Sequence, residues 1–254
     1  MADATVPASG HLDIDGCVNF RDAGGWPTID GGHMRTGRLY RSDDPVRTTA
    51  DGRAAVLALG LSRTIDLRQQ SQFDRGPGFL PAEQTFHRPL VDRVINLQDP
   101  PPMTEPVHMA DLYVEMLERS EQELADVLDL IAEGLADGPV LVHCVYGKDR
   151  TGLVVAAVQA ALGVPAPEIV EEYARSDAPT HRRYEWVVAD PLPDDPPATA
   201  APRMLFSAPA EAMAALTERL IARYGSLEAW VASLPVRPGT VERLRAELLE
   251  PRSV

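Results

Sequence analysis

An α/β fold is predicted for this chain, with a central, mostly parallel sheet flanked by helices and a helical C-terminal extension or lid. Three observations predict it. Short runs of strand formers lie between segments of helical periodicity, the alternation that builds parallel sheets. One run, Val140-Leu141-Val142, is apolar at every position, as a strand buried on both faces must be. The length of 254 residues and the 44% hydrophobic content suffice for one sizeable core, and no repeat at a fixed period divides the chain.

The elements follow in order. Residues 1–10 are small and polar and are expected to be disordered, which places the folded domain at 11–254. Residues 11–60 carry turn signals at Gly24-Gly25, Gly31-Gly32, Gly37 and Asp51-Gly52. Strand formers cluster in Arg38-Leu39-Tyr40-Arg41, in Thr64-Ile65-Asp66-Leu67 and in the run from Thr85 to Leu90. The stretch 91–110 holds four prolines and reads as a long loop, a length that usually carries function. Leu124, Val127, Leu128, Ile131 and Leu135 then lie on one helical face, and Asp137-Gly138-Pro139 stops that helix. After the apolar strand, the run from Thr151 to Leu162 has almost no polar face and belongs in the interior. Pro167 opens a further helix carrying Ile169, Val170 and Tyr173. Residues 190–203 are rich in Pro, Asp and Ala and read as irregular, so 178–205 is expected to be a mobile insertion or lid. Met213, Leu216, Leu220, Ile221 and Tyr224 form a last long stripe, and Ser226 and Thr240 are suited to cap two shorter helices.

The charge balance excludes some functions. With 24 Lys+Arg against 38 Asp+Glu the net charge is −14, which suits neither nucleic acid nor an anionic membrane as a generic partner. No stable membrane insertion is expected, because no apolar run reaches the ~18–20 residues of a span. The first residues lack the basic start and apolar centre of a conventional signal peptide. A cytoplasmic location is therefore expected, with non-classical secretion left open. Two cysteines, Cys17 and Cys144, are too few for a disulfide scaffold or a Cys-rich zinc centre. Neither a metal nor a cofactor is expected.

The chemistry concentrates between the apolar strand and the interior helix, in His143-Cys144-Val145-Tyr146-Gly147-Lys148-Asp149-Arg150-Thr151-Gly152. A strand-to-helix turn gathers backbone N–H groups into one concavity, and the helix N-terminus adds positive potential. Gly147 permits the positive φ that such a nest requires. The run from Val145 to Arg150 is thus expected to cradle a phosphate. It is not the nucleotide-binding phosphate loop, because Val142 stands where the first glycine belongs and Asp149 follows the lysine. Inside the cradle sits Cys144, expected to ionise readily there and to act as a nucleophile on phosphorus. Arg150 lies six residues on, about one turn of the loop, and its planar fork matches two phosphoryl oxygens. The Thr151 hydroxyl is placed to hydrogen-bond the thiolate, and His143 is expected to order the loop.

His-Cys-x5-Arg-Thr-Gly resembles the protein tyrosine phosphatase signature. The Gly-Lys-Asp-Arg-Thr-Gly form is similar to the atypical bacterial tyrosine/dual-specificity group of the mycobacterial secreted tyrosine phosphatase B. Asn19-Phe20-Arg21-Asp22-Ala23-Gly24-Gly25 resembles that group's N-terminal element, and Thr64-Ile65-Asp66-Leu67-Arg68 its strand-end Asp-Leu-Arg. The likeness spans residues 19–152 and extends weakly to Glu172-Tyr173-Ala174-Arg175-Ser176. It implies a single domain of the phosphatase fold, a cysteine nucleophile and a helical lid. It also implies that Lys148 binds a second acidic group of the substrate. The turn from Asn19 to Gly25 is expected to brace the cradle, with Arg21 or Asp22 behind it, and Arg68 to pair with Asp66 or line the pocket.

The proton donor has three candidates. Asp149 ranks first, Asp66 at a strand end second, and Asp111 third, some 30 residues before the cysteine as in the common family pattern, although no Trp-Pro-Asp occurs. His181-Arg182-Arg183 is either a landing site for an anion or a solvated helix face. Cys17 is either a disulfide partner of Cys144 or a lone buried thiol. The expected function is a cysteine-dependent phosphomonoester hydrolase acting on phosphotyrosine or dual-specificity substrates, with a phosphorylated protein or a small phosphorylated molecule as partner. Phosphoinositides and nucleotides remain open as substrates. A rhodanese-like sulfurtransferase is disfavoured because five residues, not the usual four, separate Cys144 from Arg150. A non-catalytic phosphate-binding module is disfavoured because nucleophile and arginine are both present.

Overall fold

The computed structural model describes residues 10–76, 78–90, 105–191 and 206–250. Five short strands form one sheet: β1 (Arg21–Asp22), β2 (Leu39–Ser42), β3 (Arg63–Asp66), β4 (Thr85–His87) and β5 (Val140–His143). Their spatial order is β1-β2-β5-β3-β4, with β1 antiparallel to β2 and every other pairing parallel. β5 is therefore central. Its side chains alternate between two apolar clusters, Val140 and Val142 on one face and Leu141 on the other. This is why the run tolerates no polar residue. The register sets Ser42, His143 and Asp66 side by side at the carboxyl ends of β2, β5 and β3. In an open parallel sheet that edge is where ligands bind.

Helices α1 (Ala50–Ala58), α2 (Gln70–Phe73), α3 (Pro106–Arg119), α4 (Glu121–Asp137), α5 (Asp149–Leu162), α6 (Ala166–Ala174), α7 (Asp177–Ala189), α8 (Ala210–Tyr224), α9 (Leu227–Ser233) and α10 (Thr240–Leu248) complete the chain. Val56 of α1 joins Phe20, Tyr40, Leu61 and Phe79 in the smaller cluster. The larger cluster surrounds α5, which is buried from Thr151 to Leu162. α6, α9 and α10 pack around it. The C-terminal helices are part of this core, because Met213, Leu216, Trp230, Leu244 and Leu248 belong to the same cluster.

One expectation changes here, and a second falls only partly on described residues. The loop expected over 91–110 gives way to helix at Pro106, while 91–104 lies outside the described residues. Pro106 occupies the first turn, where its missing N–H leaves no bond unmade. The expected lid at 178–205 includes most of α7, a regular helix with Thr180, Arg183 and Val187 buried, and 192–205 lies outside the described residues. Residues 1–9 do so as well. Among the described residues no helix is long and apolar enough to cross a membrane.

Candidate active site

The loop from Cys144 to Lys148 joins β5 to α5, and its carbonyls are held from outside. Val145 O accepts from Asp44 N at 3.1 Å, and Tyr146 O from Asn19 Nδ2 at 2.9 Å. Gly147 O accepts from Arg41 Nη2. Lys148 O accepts from Gly152 N at 2.8 Å and from Arg41 Nη2 at 3.4 Å. In a planar trans peptide the N–H points opposite its carbonyl. Four carbonyls drawn outward therefore turn the N–H groups of Tyr146, Gly147, Lys148 and Asp149 toward the inside of the loop. Gly147 makes the bend, with φ at +64°. A Cβ there would lie 2.4 Å from Ser42 O, so only glycine lets the loop rest on the end of β2. Cys144 follows β5 directly and is buried. Both cysteines are free, which removes the disulfide alternative. The Cys17 thiol faces Thr48 Oγ1 at 3.2 Å, and burial pushes it up to about 12.

A buried ion cluster supports the loop from below. Glu172 of α6 pairs with Arg21 Nε at 3.0 Å and with Arg41 Nη1. Arg21 also donates to Asn19 Oδ1 and, at 2.9 Å, to Ser176 Oγ. Burial pushes the Glu172 carboxyl up, but Arg21 and Arg41 outweigh it and hold the group below the usual glutamate range. Asn19 thus reaches the loop at Tyr146 O, and Arg21 holds Asn19 in turn. Arg41 and Glu172 were not expected. A charge directly after Leu39-Tyr40 in a strand-forming run was the one local signal for Arg41. Asp22 instead ties a turn, accepting from Gly24 N at 2.8 Å and from Gly37 N.

Asp66 is fully buried and gripped by Arg68, Nη2 to Oδ2 at 2.6 Å and Nε to Oδ1 at 2.9 Å. His143 Nε2 lies 3.5 Å from Asp66 Oδ2. Although burial pushes the Asp66 carboxyl up, the His143 ring and Arg68 hold it below the usual range. Asp66 thus pairs with Arg68 at the carboxyl ends of β3 and β5, enclosed within the sheet edge. Asp111 sits on the solvent side of α3 and pairs with Arg219 at 2.7 Å. Arg150, in the first turn of α5, donates from Nη1 to Leu67 O at 3.0 Å and to Gln72 Oε1 at 3.2 Å. Nothing in the sequence singled out Gln72.

Asp149 opens α5 and is partly exposed. Its Oδ1 accepts from Tyr113 Oη at 2.6 Å and lies 3.2 Å from Lys148 Nζ. Lys148 is buried and donates to Ser207 O at 3.0 Å, so it is no solvated loop lysine. Among the described residues the buried Thr151 hydroxyl meets no hydrogen-bond partner, the expected bond to Cys144 included. Arg183 is also buried, bound to Asp44 at 2.8 Å and Asp43 at 3.4 Å. It therefore fits neither reading of the His181-Arg182-Arg183 cluster, and its charge is spent on fixing α7 beside the loop's support.

A cysteine at the floor of a loop of inward amides, with an arginine in the first turn of the following helix, defines the class of hydrolases that take phosphoryl groups onto sulfur. The model of the tyrosine phosphatase family matches residues 12–250, and the chain belongs to that family. It is 29% identical over 279 aligned residues to the triple specificity protein phosphatase PtpB of Mycobacterium tuberculosis, covering 93% of this chain and 98% of that protein. It is 34% identical over 143 residues to a tyrosine-protein phosphatase of Nostoc commune, covering 54% of this chain and 48% of that one. Among solved structures, TpbA of P. aeruginosa is similar over 59% of this chain and 78% of its own, at 17% identity and a TM-score of 0.32.

Proposed function

We propose that the chain hydrolyses phosphomonoesters of proteins, phosphotyrosine first among them, through a phosphoryl group carried on Cys144. The observation that supports this most is the outward bracing of four loop carbonyls, which leaves a ring of N–H groups around the cysteine. The Cys144 thiolate attacks phosphorus, and an S–P bond forms as the ester P–O bond breaks. Arg150 and the loop amides carry the equatorial oxygens. Asp149, protonated, gives its proton to the leaving oxygen. Water then attacks phosphorus, Asp149 takes its proton back, and the S–P bond breaks to return the thiolate and release phosphate. Backbone amides read the phosphate and not its carrier, which supports action on more than one class of substrate, in line with the triple specificity of the mycobacterial relative PtpB.

The test is phosphate release from phosphotyrosine and phosphoserine peptides, a phosphoinositide and a nucleotide, with chelator present. The phosphotyrosine peptide is expected to be turned over, at a rate indifferent to chelator. A strict need for added divalent metal, or turnover of the nucleotide alone, overturns the reading.

A further inference from the structure

The buried hydroxyls of Tyr113 and Tyr173 lie beyond the machinery described so far. Tyr113 comes from α3 and Tyr173 from α6, and both are almost wholly enclosed. Tyr113 Oη is 2.6 Å from Asp149 Oδ1 and 2.7 Å from Tyr173 Oη. Tyr173 Oη also approaches Met109 Sδ at 3.3 Å. Each hydroxyl has one proton. That of Tyr113 goes to the carboxylate, which only accepts when ionised. That of Tyr173 then goes to Tyr113, and the Met109 sulfur is a packing contact. The chain of donation runs Tyr173 to Tyr113 to Asp149.

We infer that this pair of tyrosines positions Asp149 for proton transfer, by fixing Oδ1 and leaving Oδ2 to hold and deliver the proton. The inference rests on the reading of Asp149 as the proton donor. Two donors converge on Oδ1, Tyr113 Oη and Lys148 Nζ. An oxygen so engaged is a poor seat for a mobile proton. The same hydrogen bonds fix the carboxyl plane, and Gly152 lets the Tyr173 ring approach α5, since a Cβ there would meet its Cδ2 at 3.1 Å. Packing alone does not account for the hydroxyls, because two phenylalanines would fill the same space without two polar groups to desolvate. Burial and the facing Asp149 charge push Tyr113 well above its ordinary range, so it stays a donor at every working pH. The charged and titratable groups around this chain are Lys148 on the loop, Arg41 on β2 and Asp177 on α7. Tyr113 and Tyr173 are positioning residues, since they act through Asp149.

The experiment compares Tyr113→Phe, Tyr173→Phe, Asp149→Asn and the Tyr113→Phe/Asp149→Asn double variant in the full chain. Each is assayed on phosphotyrosine, whose leaving group needs a proton, and on dinitrophenyl phosphate, whose leaving group does not. A hydrogen bond to a charged group is worth roughly 10- to 100-fold. Tyr113→Phe is expected to lose about that much kcat on phosphotyrosine and less than about threefold on dinitrophenyl phosphate. Its basic pH limb is expected to move to higher pH, because a bond favouring the charged carboxylate is gone. The double variant is expected to match Asp149→Asn. Equal losses of Tyr113→Phe on both substrates, an unmoved limb, or a double variant weaker than Asp149→Asn by the full single-variant factor overturns the inference. If Asp149→Asn itself shows no preference between the substrates, the donor reading fails and the inference falls with it. Should Tyr113→Phe fail to fold by circular dichroism, Tyr173→Phe decides. It removes only the farther hydroxyl and should show the same substrate contrast in weaker form; equal losses there overturn the inference.

Discussion

Gly147 and Arg150 carry the sharpest constraints on single residues. Gly147 turns the loop at φ +64° with Ser42 O where a side chain would start. Gly147→Ala must move the backbone, and displacement of reacting groups by about 1 Å costs on the order of 10²-fold. We expect that loss in kcat/KM with an unchanged far-ultraviolet circular dichroism spectrum, and a variant of wild-type activity would mean the turn does not shape the site. Arg150 is anchored through Nη1 to Leu67 O and Gln72 Oε1. In the proposed mechanism its other guanidinium donors hold the phosphoryl oxygens. Lysine keeps the charge and loses the fork, so Arg150→Lys should cost about 10²–10³-fold in kcat. A loss of tenfold or less assigns Arg150 to the support of α2 alone.

The elements are held in place by ion pairs that no single segment contains. α6 reaches β1 and β2 through one carboxylate, Glu172, and through it touches the loop by way of Arg41. Glu172→Gln would leave two buried guanidiniums facing a neutral amide. Breaking a buried pair by removing one partner costs about 3–5 kcal/mol, readable as a lower urea midpoint at an unchanged slope. The pH dependence has a definite sign. Glu172 is held below its ordinary value near 4.5, so its contribution is present above that pH and is lost as pH falls through the folded value. Wild-type stability should therefore drop on acidification below about pH 4.5, and the Gln variant should drop less. Parallel acid slopes for the two proteins would show that Glu172 is not charged in the folded state.

At the scale of the whole molecule, the parts legible in the sequence were those set by local pattern. The Val140-Leu141-Val142 run announced the central strand because it is buried on both faces. The run from Thr151 to Leu162 announced α5 because it lacks a polar side. The loop motif was legible as one strand-to-helix turn carrying Cys144, Gly147 and Arg150, since neighbours along the chain are neighbours in a loop. What the sequence hid was pairing at long range. Arg41 and Glu172 are 131 positions apart, and Arg183 and Asp44 are 139 apart. Tyr113 meets Asp149 across 36 positions, from a helix whose first turn was read as loop because of its proline. Lys148 and Arg183 are buried because their partners arrive from other segments, which local pattern does not show.

The central claim is that Cys144 is the nucleophile and that the rest of the loop binds phosphate without it. The most direct measurement is turnover of an aryl phosphate by Cys144→Ser, alongside vanadate binding by the same variant. A serine hydroxyl is a far weaker acid than a thiol and a poorer nucleophile here, while the inward amides and Arg150 remain. The account predicts that turnover disappears and vanadate still binds. Turnover near the wild-type rate would contradict it.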